Sequence, residues 1–433
     1  MCRFFEGEFM EVFSRARLII PAVIGNILEW YSFALYACLA SFIRADLFPE
    51  ANFLVSTIQT TTILSLGYFA RPFGALFFGF LADRFGRKKV LPIAMLIMAV
   101  STTLIAFIPT YHVIGIWSGI LLVFFRIIQG FSVGGEYASS IVYILEQAPK
   151  KRQGFWAGLF CATGYLGFFF GFIISFFVVR LCENTPYEAY AWRFPFILAV
   201  FLGVLGLYLR RKLPETPSFI QAQKEDALVK NPFFYLFKHN VPSLFKGMGL
   251  CLLPSALSCL LFSYLPTYIR SYGGLSLEKV LFVSVFSCIV AIVALPIFGF
   301  FSDYFGRFIF ILLGCVLLFL SASFLFQEIL GSAIESVILA VSALTILLSS
   351  VESMVPATLV SLFPIKARCS GIAFSLNLTN AIFGGTAPLF ATILIHNTGS
   401  LLAPSWYTMV AAAIAGLALI PSYKNLKKQR LVD

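Results

Sequence analysis

Five charged side chains stand where charge is expensive. Glu29, Arg71, Arg126, Glu136 and Glu352 each lie inside a long apolar run of this 433-residue chain. An embedded charge costs at least ~2.5 kcal/mol on insertion scales, so each is expected to be paired, to face a wet cavity, or to carry function. A carboxylate that is ion-paired in one state and released in another changes its hold on a proton between those states. That is the chemistry proton coupling requires. Glu29 and Arg126 are the expected pair. At 1.5 Å rise per residue Glu29 lies ~16 Å into its run, and Arg126 lies at a similar depth from the other side. The alternative is a fixed structural ion pair.

Glu136 follows Arg126 by ten positions, which puts it on another face and ~15 Å along the helix axis, so the two are not expected to pair. It is read as an inner-gate residue, a cavity or proton group, or inert packing. Arg71 precedes Pro72 and Gly74; it either binds a solute carboxylate or pairs structurally. Glu352 stands in Ser349-Ser350-Val351-Glu352-Ser353 and is either a cavity acid of the second half or a buried acid solvated by serines. Trp30 and Tyr31 offer cation–π faces to a quaternary ammonium, or simple packing. Asn377 and Asn380 are candidates for polar solute atoms.

These residues need a frame. The chain is 60% hydrophobic and 12% charged, against about 25% charged in soluble domains. The apolar runs are continuous rather than alternating, which excludes a transmembrane β-barrel and predicts helices. Twelve stretches are long enough to cross a bilayer: roughly 18–43, 53–81, 90–108, 113–145, 154–179, 193–209, 244–269, 279–301, 308–327, 333–362, 371–395 and 405–422. The expected architecture is all-α, with twelve transmembrane helices in two pseudo-symmetric six-helix bundles. Residues 1–209 form the first bundle, 210–243 a linker and 244–433 the second bundle.

The net charge of +11 is a topology signal. Most Lys and Arg fall at the termini, between spans 2 and 3 (Arg84, Arg87, Lys88, Lys89), after span 4 (Lys150, Lys151, Arg152), or in 210–246. All of these lie on one side of a twelve-span chain, so both termini are expected in the cytoplasm. Nucleic-acid binding is excluded on the same ground. Nine cysteines without a CxxC pair and three dispersed histidines imply neither disulfides, a metal site nor a cofactor.

The loops repeat. Gly79-Phe80-Leu81-Ala82-Asp83-Arg84-Phe85-Gly86-Arg87 after span 2 returns, 220 residues on, as Gly299-Phe300-Phe301-Ser302-Asp303-Tyr304-Phe305-Gly306-Arg307 after span 8. Two halves of equal polarity with matching loops suggest parallel repeats about the membrane normal, the layout of two-bundle alternating-access transporters. Gly79, Asp83, Arg84, Gly86, Arg87 and Glu146, with Asp303, Gly306 and Arg307, are expected to form charge networks that hold one access state and break in the other.

The Gly-x-Leu-x-Asp-Arg-x-Gly-Arg-Lys-Lys loop resembles the signature of the major facilitator superfamily. Gly25-Asn26-Ile27-Leu28-Glu29-Trp30-Tyr31, Arg71-Pro72-Phe73-Gly74, Arg126 through Tyr137, and Pro214-Glu215-Thr216-Pro217 resemble more narrowly the metabolite:proton symporter family. The resemblance covers essentially the whole chain. It implies proton-coupled symport of a small organic solute across a bacterial inner membrane, the solute being a zwitterion such as proline or betaine, or an organic acid. It also singles out Ser32, which stands where the family usually has an acid.

Uniport or exchange of a carboxylate metabolite remains the alternative, because Ser32 removes an acid, and a non-transporting membrane sensor is a further class. The absence of a GxxxxGK[ST] motif argues against ATP as the energy source. A membrane-embedded enzyme would need clustered His, Asp or Ser–His groups, which the sequence lacks. The expected partners are the solute, a coupling ion (a proton first) and the lipid bilayer.

Overall fold

A computed structural model describes residues 2–48, 53–182, 185, 188–331 and 333–420. The side chains of Arg3, Arg15 and Arg17, and the terminal Lys424, Lys427, Lys428 and Arg430, lie outside the described residues. Every regular element among the described residues is helical. Among the described residues ten helices are long and apolar enough to cross a membrane; with Phe53–Phe85 and the shorter apolar helix Ala403–Leu419 the long helices number twelve. In chain order they are α1 (Cys2–Leu47), α2 (Phe53–Phe85), α3 (Arg87–Ile105), α4 (Trp117–Gln147), α5 (Gln153–Cys182) and α6 (Arg193–Arg210). The second half has α7 (Val241–Gly273), α8 (Leu277–Phe305), α9 (Arg307–Ile329), α10 (Ile334–Leu362), α11 (Ile365–Thr398) and α12 (Ala403–Leu419). Two short helices, Pro217–Lys224 and Pro232–His239, lie between the halves.

The sequence repeat is a structural repeat. α2 and α8 both stop before a glycine in the left-handed region, Gly86 at φ 99° and Gly306 at φ 92°. Only glycine takes that conformation freely, so the chain turns sharply and restarts as α3 and α9. The α4–α5 and α10–α11 connections match as well, each carrying one turn of 3₁₀ helix at Lys150–Arg152 and Ile365–Ala367.

Small residues set the packing. Gly164, Gly167 and Gly171 face Trp30, Ile27, Tyr31 and Ala34 of α1, while Gly130 and Gly134 face the backbone of α2. A side chain at these positions would meet backbone or ring atoms of the neighbouring helix, the contact that small residues allow in membranes. Between the halves, Gly154 and Gly158 of α5 face the backbone of α8 at Gly299 and Leu295, and Gly79 of α2 faces Ser370 of α11. The two bundles therefore approach closely at their basic end, and at the opposite end Arg180 of α5 pairs with Glu278 of α8 at 2.5 Å.

Three inward helices are irregular. α7 contains π-helical turns at Cys259–Tyr264 and Ile269–Gly273, and α11 one at Asn380–Gly384. α10 is interrupted after Glu352 and restarts at Val355, ahead of Pro356. Irregular backbone at membrane depth is tolerated where it is buried in protein or lines a cavity.

Candidate functional site

A small cavity lies between the two bundles. The first half contributes Trp30 of α1, Arg71 of α2 and Tyr137 of α4; the second contributes Ser255 and Ser258 of α7, Glu352 of α10, and Asn377 and Asn380 of α11. Five of the residues singled out in the sequence thus meet in one place: Trp30, Arg71, Glu352, Asn377 and Asn380. Asn377 Nδ2 also donates to Gly134 O of α4 at 2.8 Å, a bond between bundles.

The ion pairing differs from the expectation. Glu29 faces Arg71, with Oε1 3.2 Å from Nη1, rather than Arg126. Depth along the helix points to Arg126; the fold brings Arg71 to α1 instead. The Arg71 guanidinium lies among the rings of Tyr68 (4.2 Å), Phe33 (4.7 Å) and Trp30 (5.7 Å). Its Nε and Nη2 donate to no partner among the described residues.

Arg126 is 2% exposed and pairs with no carboxylate among the described residues. It lies over the Tyr36 ring at 3.8 Å and donates to Gln129 Oε1 at 3.1 Å. Gln129 Nε2 in turn donates to Ser32 Oγ at 2.7 Å and Thr102 Oγ1 at 2.8 Å. Ser32 is therefore one amide away from Arg126. It completes that chain by donating to Glu29 O at 2.7 Å.

Glu136 pairs inside the first bundle. It is fully buried and forms a two-pronged ion pair with Arg210 of α6. Arg210 also donates to Pro21 O, Ala22 O and Leu91 O, so all five guanidinium donors are used. This closed set ties α1, α3, α4 and α6 together. In the sequence Arg210 falls at the start of the basic 210–246 stretch, followed by Arg211 and Lys212; the fold turns it inward. Tyr31 also leaves the expected cavity: its hydroxyl donates to Pro195 O of α6 at 2.6 Å.

Glu352 accepts a 2.5 Å hydrogen bond from the Tyr165 hydroxyl of α5, in the opposite bundle. The neighbouring Ser349 and Ser350 hydroxyls donate to backbone carbonyls instead, so the serine-solvated alternative does not hold. Tyr165 was missed, because one tyrosine in a phenylalanine-rich run carries no signal.

At the basic end, Asp83 of α2 accepts the N–H groups of Cys369 and Ser370, at the start of α11, at 3.1 and 2.8 Å. Asp303 of α8 accepts those of Gly154 and Phe155, at the start of α5, at 2.7 and 2.9 Å. Arg368 Nη1 reaches Glu146 Oε1 at 2.8 Å, also across the bundles, and Arg87 lies 3.4 Å from the same oxygen. Arg307 donates to Gln153 at 3.4 Å. Arg84 departs from the expected network: it is exposed, over the rings of Phe80 and Phe85. Glu215, quoted in the sequence without a role, accepts the N–H groups of Arg87 and Lys88 at 3.2 and 3.1 Å and so caps α3.

The family described as "Sugar (and other) transporter" matches residues 18–231. The chain is 32% identical over 407 residues to the glycine betaine/proline/ectoine/pipecolic acid transporter OusA of Dickeya dadantii, covering 92% of this chain and 81% of that protein. It is 34% identical to the ectoine/proline transporter ProP of Corynebacterium glutamicum, covering 94% and 84%. In fold it is similar to the proton:xylose symporter XylE bound to 6-bromo-6-deoxy-D-glucose, with a TM-score of 0.75, 17% identity, and coverage of 94% and 95%.

Proposed function

The chain belongs to the major facilitator superfamily, in the family of the bacterial proline/betaine transporters, and from that premise we propose that it carries a small zwitterionic solute inward together with protons. The observation that carries this reading is the cavity between the bundles, which presents a cation, an acid and aromatic faces together. The solute carboxylate binds the unpartnered Nε and Nη2 of Arg71, the fork geometry that suits a carboxylate. The cationic end lies toward the rings of Trp30 and Tyr137, where a quaternary ammonium gains cation–π contact.

Transport proceeds by rocking of residues 1–209 against residues 244–433 about the cavity, with 210–243 as the linker. The Asp83, Asp303 and Glu146 contacts close one face and open in the alternate state. The basic face is cytoplasmic, with both termini on that side, and the membrane is the bacterial inner membrane. One observation favours a second reading: Arg126, which pairs with no carboxylate among the described residues, suits exchange of an anionic solute.

Solute-induced pH change in proteoliposomes tests the proposal, with proline, glycine betaine, α-ketoglutarate and citrate as the panel. External alkalinisation on adding proline or betaine is the expected result. Radiolabel uptake of the same solutes with no proton movement would overturn it.

A further inference from the structure

We propose that Glu352 is the group that carries the coupling proton, and that its bond to Tyr165 reports the proton to the opposite bundle; this rests on the symport reading above. The position is built for the task. Glu352 ends the first segment of α10, and the interruption before Val355 lies at the cavity wall. The groups that face it are few. From α5 come the Tyr165 hydroxyl and the Cys161 thiol, which lies 3.7 Å from the Glu352 carbonyl oxygen. From α4 comes Tyr137, whose hydroxyl is 4.0 Å from Cys161 Sγ. Arg71 shares the cavity; its Nη1 pairs with Glu29, and its Nε and Nη2 have no partner among the described residues. Among the described residues no group of three or more His, Cys, Asp or Glu could hold a metal ion. A thiol and aromatic rings are poor ligands for a hard cation, which needs several oxygens.

Coupling follows from charge balance. In the empty cavity the free donors of Arg71 offset a charged Glu352. Once a solute carboxylate occupies those donors, that offset is gone. When the bundles rock, Tyr165 moves with α5 and leaves Glu352 in the other bundle, so the acid must then be neutral. The step is a simple transfer: the Glu352 carboxylate takes a proton from water on the outer side and becomes a carboxylic acid, releasing its claim on the Tyr165 hydroxyl. On the inner side the acid returns the proton to water. One proton crosses per solute, and the empty carrier returns without one.

The test uses full-length protein in proteoliposomes with radiolabelled proline and glycine betaine. Under an inward proton gradient the wild type concentrates the solute. Glu352→Gln is expected to lose both concentration against a gradient and solute-induced alkalinisation, while labelled solute still exchanges across the membrane. Proton-driven concentration that survives in Glu352→Gln overturns this inference alone. Wild-type uptake without proton movement, or driven by sodium, overturns the symport reading and this inference with it. Tyr165→Phe keeps the acid and removes only its donor, so it carries the test if the glutamine variant fails to assemble. Its pH profile of uptake is expected to differ from that of the wild type, since the phenol is the donor to that carboxyl. An unmoved profile overturns the proposal.

Discussion

Asp83 and Asp303 stand 220 residues apart and make the same bond in opposite directions. Asp83, from the first bundle, accepts two backbone N–H groups at the start of α11; Asp303, from the second, accepts two at the start of α5. The first N–H groups of any helix lack partners within it, and the helix dipole favours a negative charge there. Each bundle thus completes a helix of the other.

Asn in place of either aspartate keeps the shape and one acceptor but removes the charge. Bonds to charged groups contribute about 1.5–3 kcal/mol. Asp83→Asn and Asp303→Asn should therefore shift the access equilibrium away from the state closed at the basic face, by roughly tenfold or more. Alkylation of a cysteine placed on the cavity wall, by a membrane-impermeant reagent from that side, measures this. Equal labelling in wild type and both variants would remove the gating role from these residues.

Glu136 and Arg210 predict a folding effect rather than a transport effect. Removing one member of a buried pair leaves an uncompensated charge, at about 3–5 kcal/mol. Glu136→Gln should lower the melting temperature of the detergent-solubilised protein sharply. The double variant with Arg210→Gln should lose less than the two single losses combined, because the partners form one set. Strict additivity would show that the pair is not a unit.

The contrast between these arginines also shows what a sequence can disclose. Gly86 and Gly306, the basic loops and the two halves were legible, because turn chemistry, charge asymmetry and apolar length are local properties. Five of the ten residues singled out for the cavity line it, since an embedded charge or amide announces itself; Glu29, Tyr31, Ser32, Arg126 and Glu136 do not. Partnership was not. Depth alone points Glu29 to Arg126, and the fold pairs it with Arg71. Arg210 looked like a loop residue, and Tyr165 like packing, because their partners are 74 and 187 positions away.

Ser32 offers a gain-of-contact test. Its hydroxyl and the Arg126 guanidinium share Gln129 as a partner. An aspartate at position 32 would place a carboxylate beside the guanidinium that lacks one. Ser32→Asp should exceed Ser32→Asn in stability by about 1.5–3 kcal/mol, the value of a bond to a charged group. It should also add a second titration to the pH profile of uptake. If the asparagine variant is equally stable, Arg126 does not reach that position.

Arg71→Lys tests how the solute is held. Lysine keeps the charge but loses the planar fork and its stacking among Tyr68, Phe33 and Trp30. A solute carboxylate that uses two donors should lose one of them, so the KM for glycine betaine should rise about tenfold to a hundredfold, from the 1.5–3 kcal/mol of a charge-assisted bond. Choline supplies the control, because it carries the same quaternary ammonium and no carboxylate. Its competition with betaine should be unchanged in the variant, since the aromatic faces remain. Loss of choline binding to the same degree as betaine would mean that Arg71 shapes the cavity rather than gripping the carboxylate, and that the carboxylate lies elsewhere, with Arg126 the next residue to substitute.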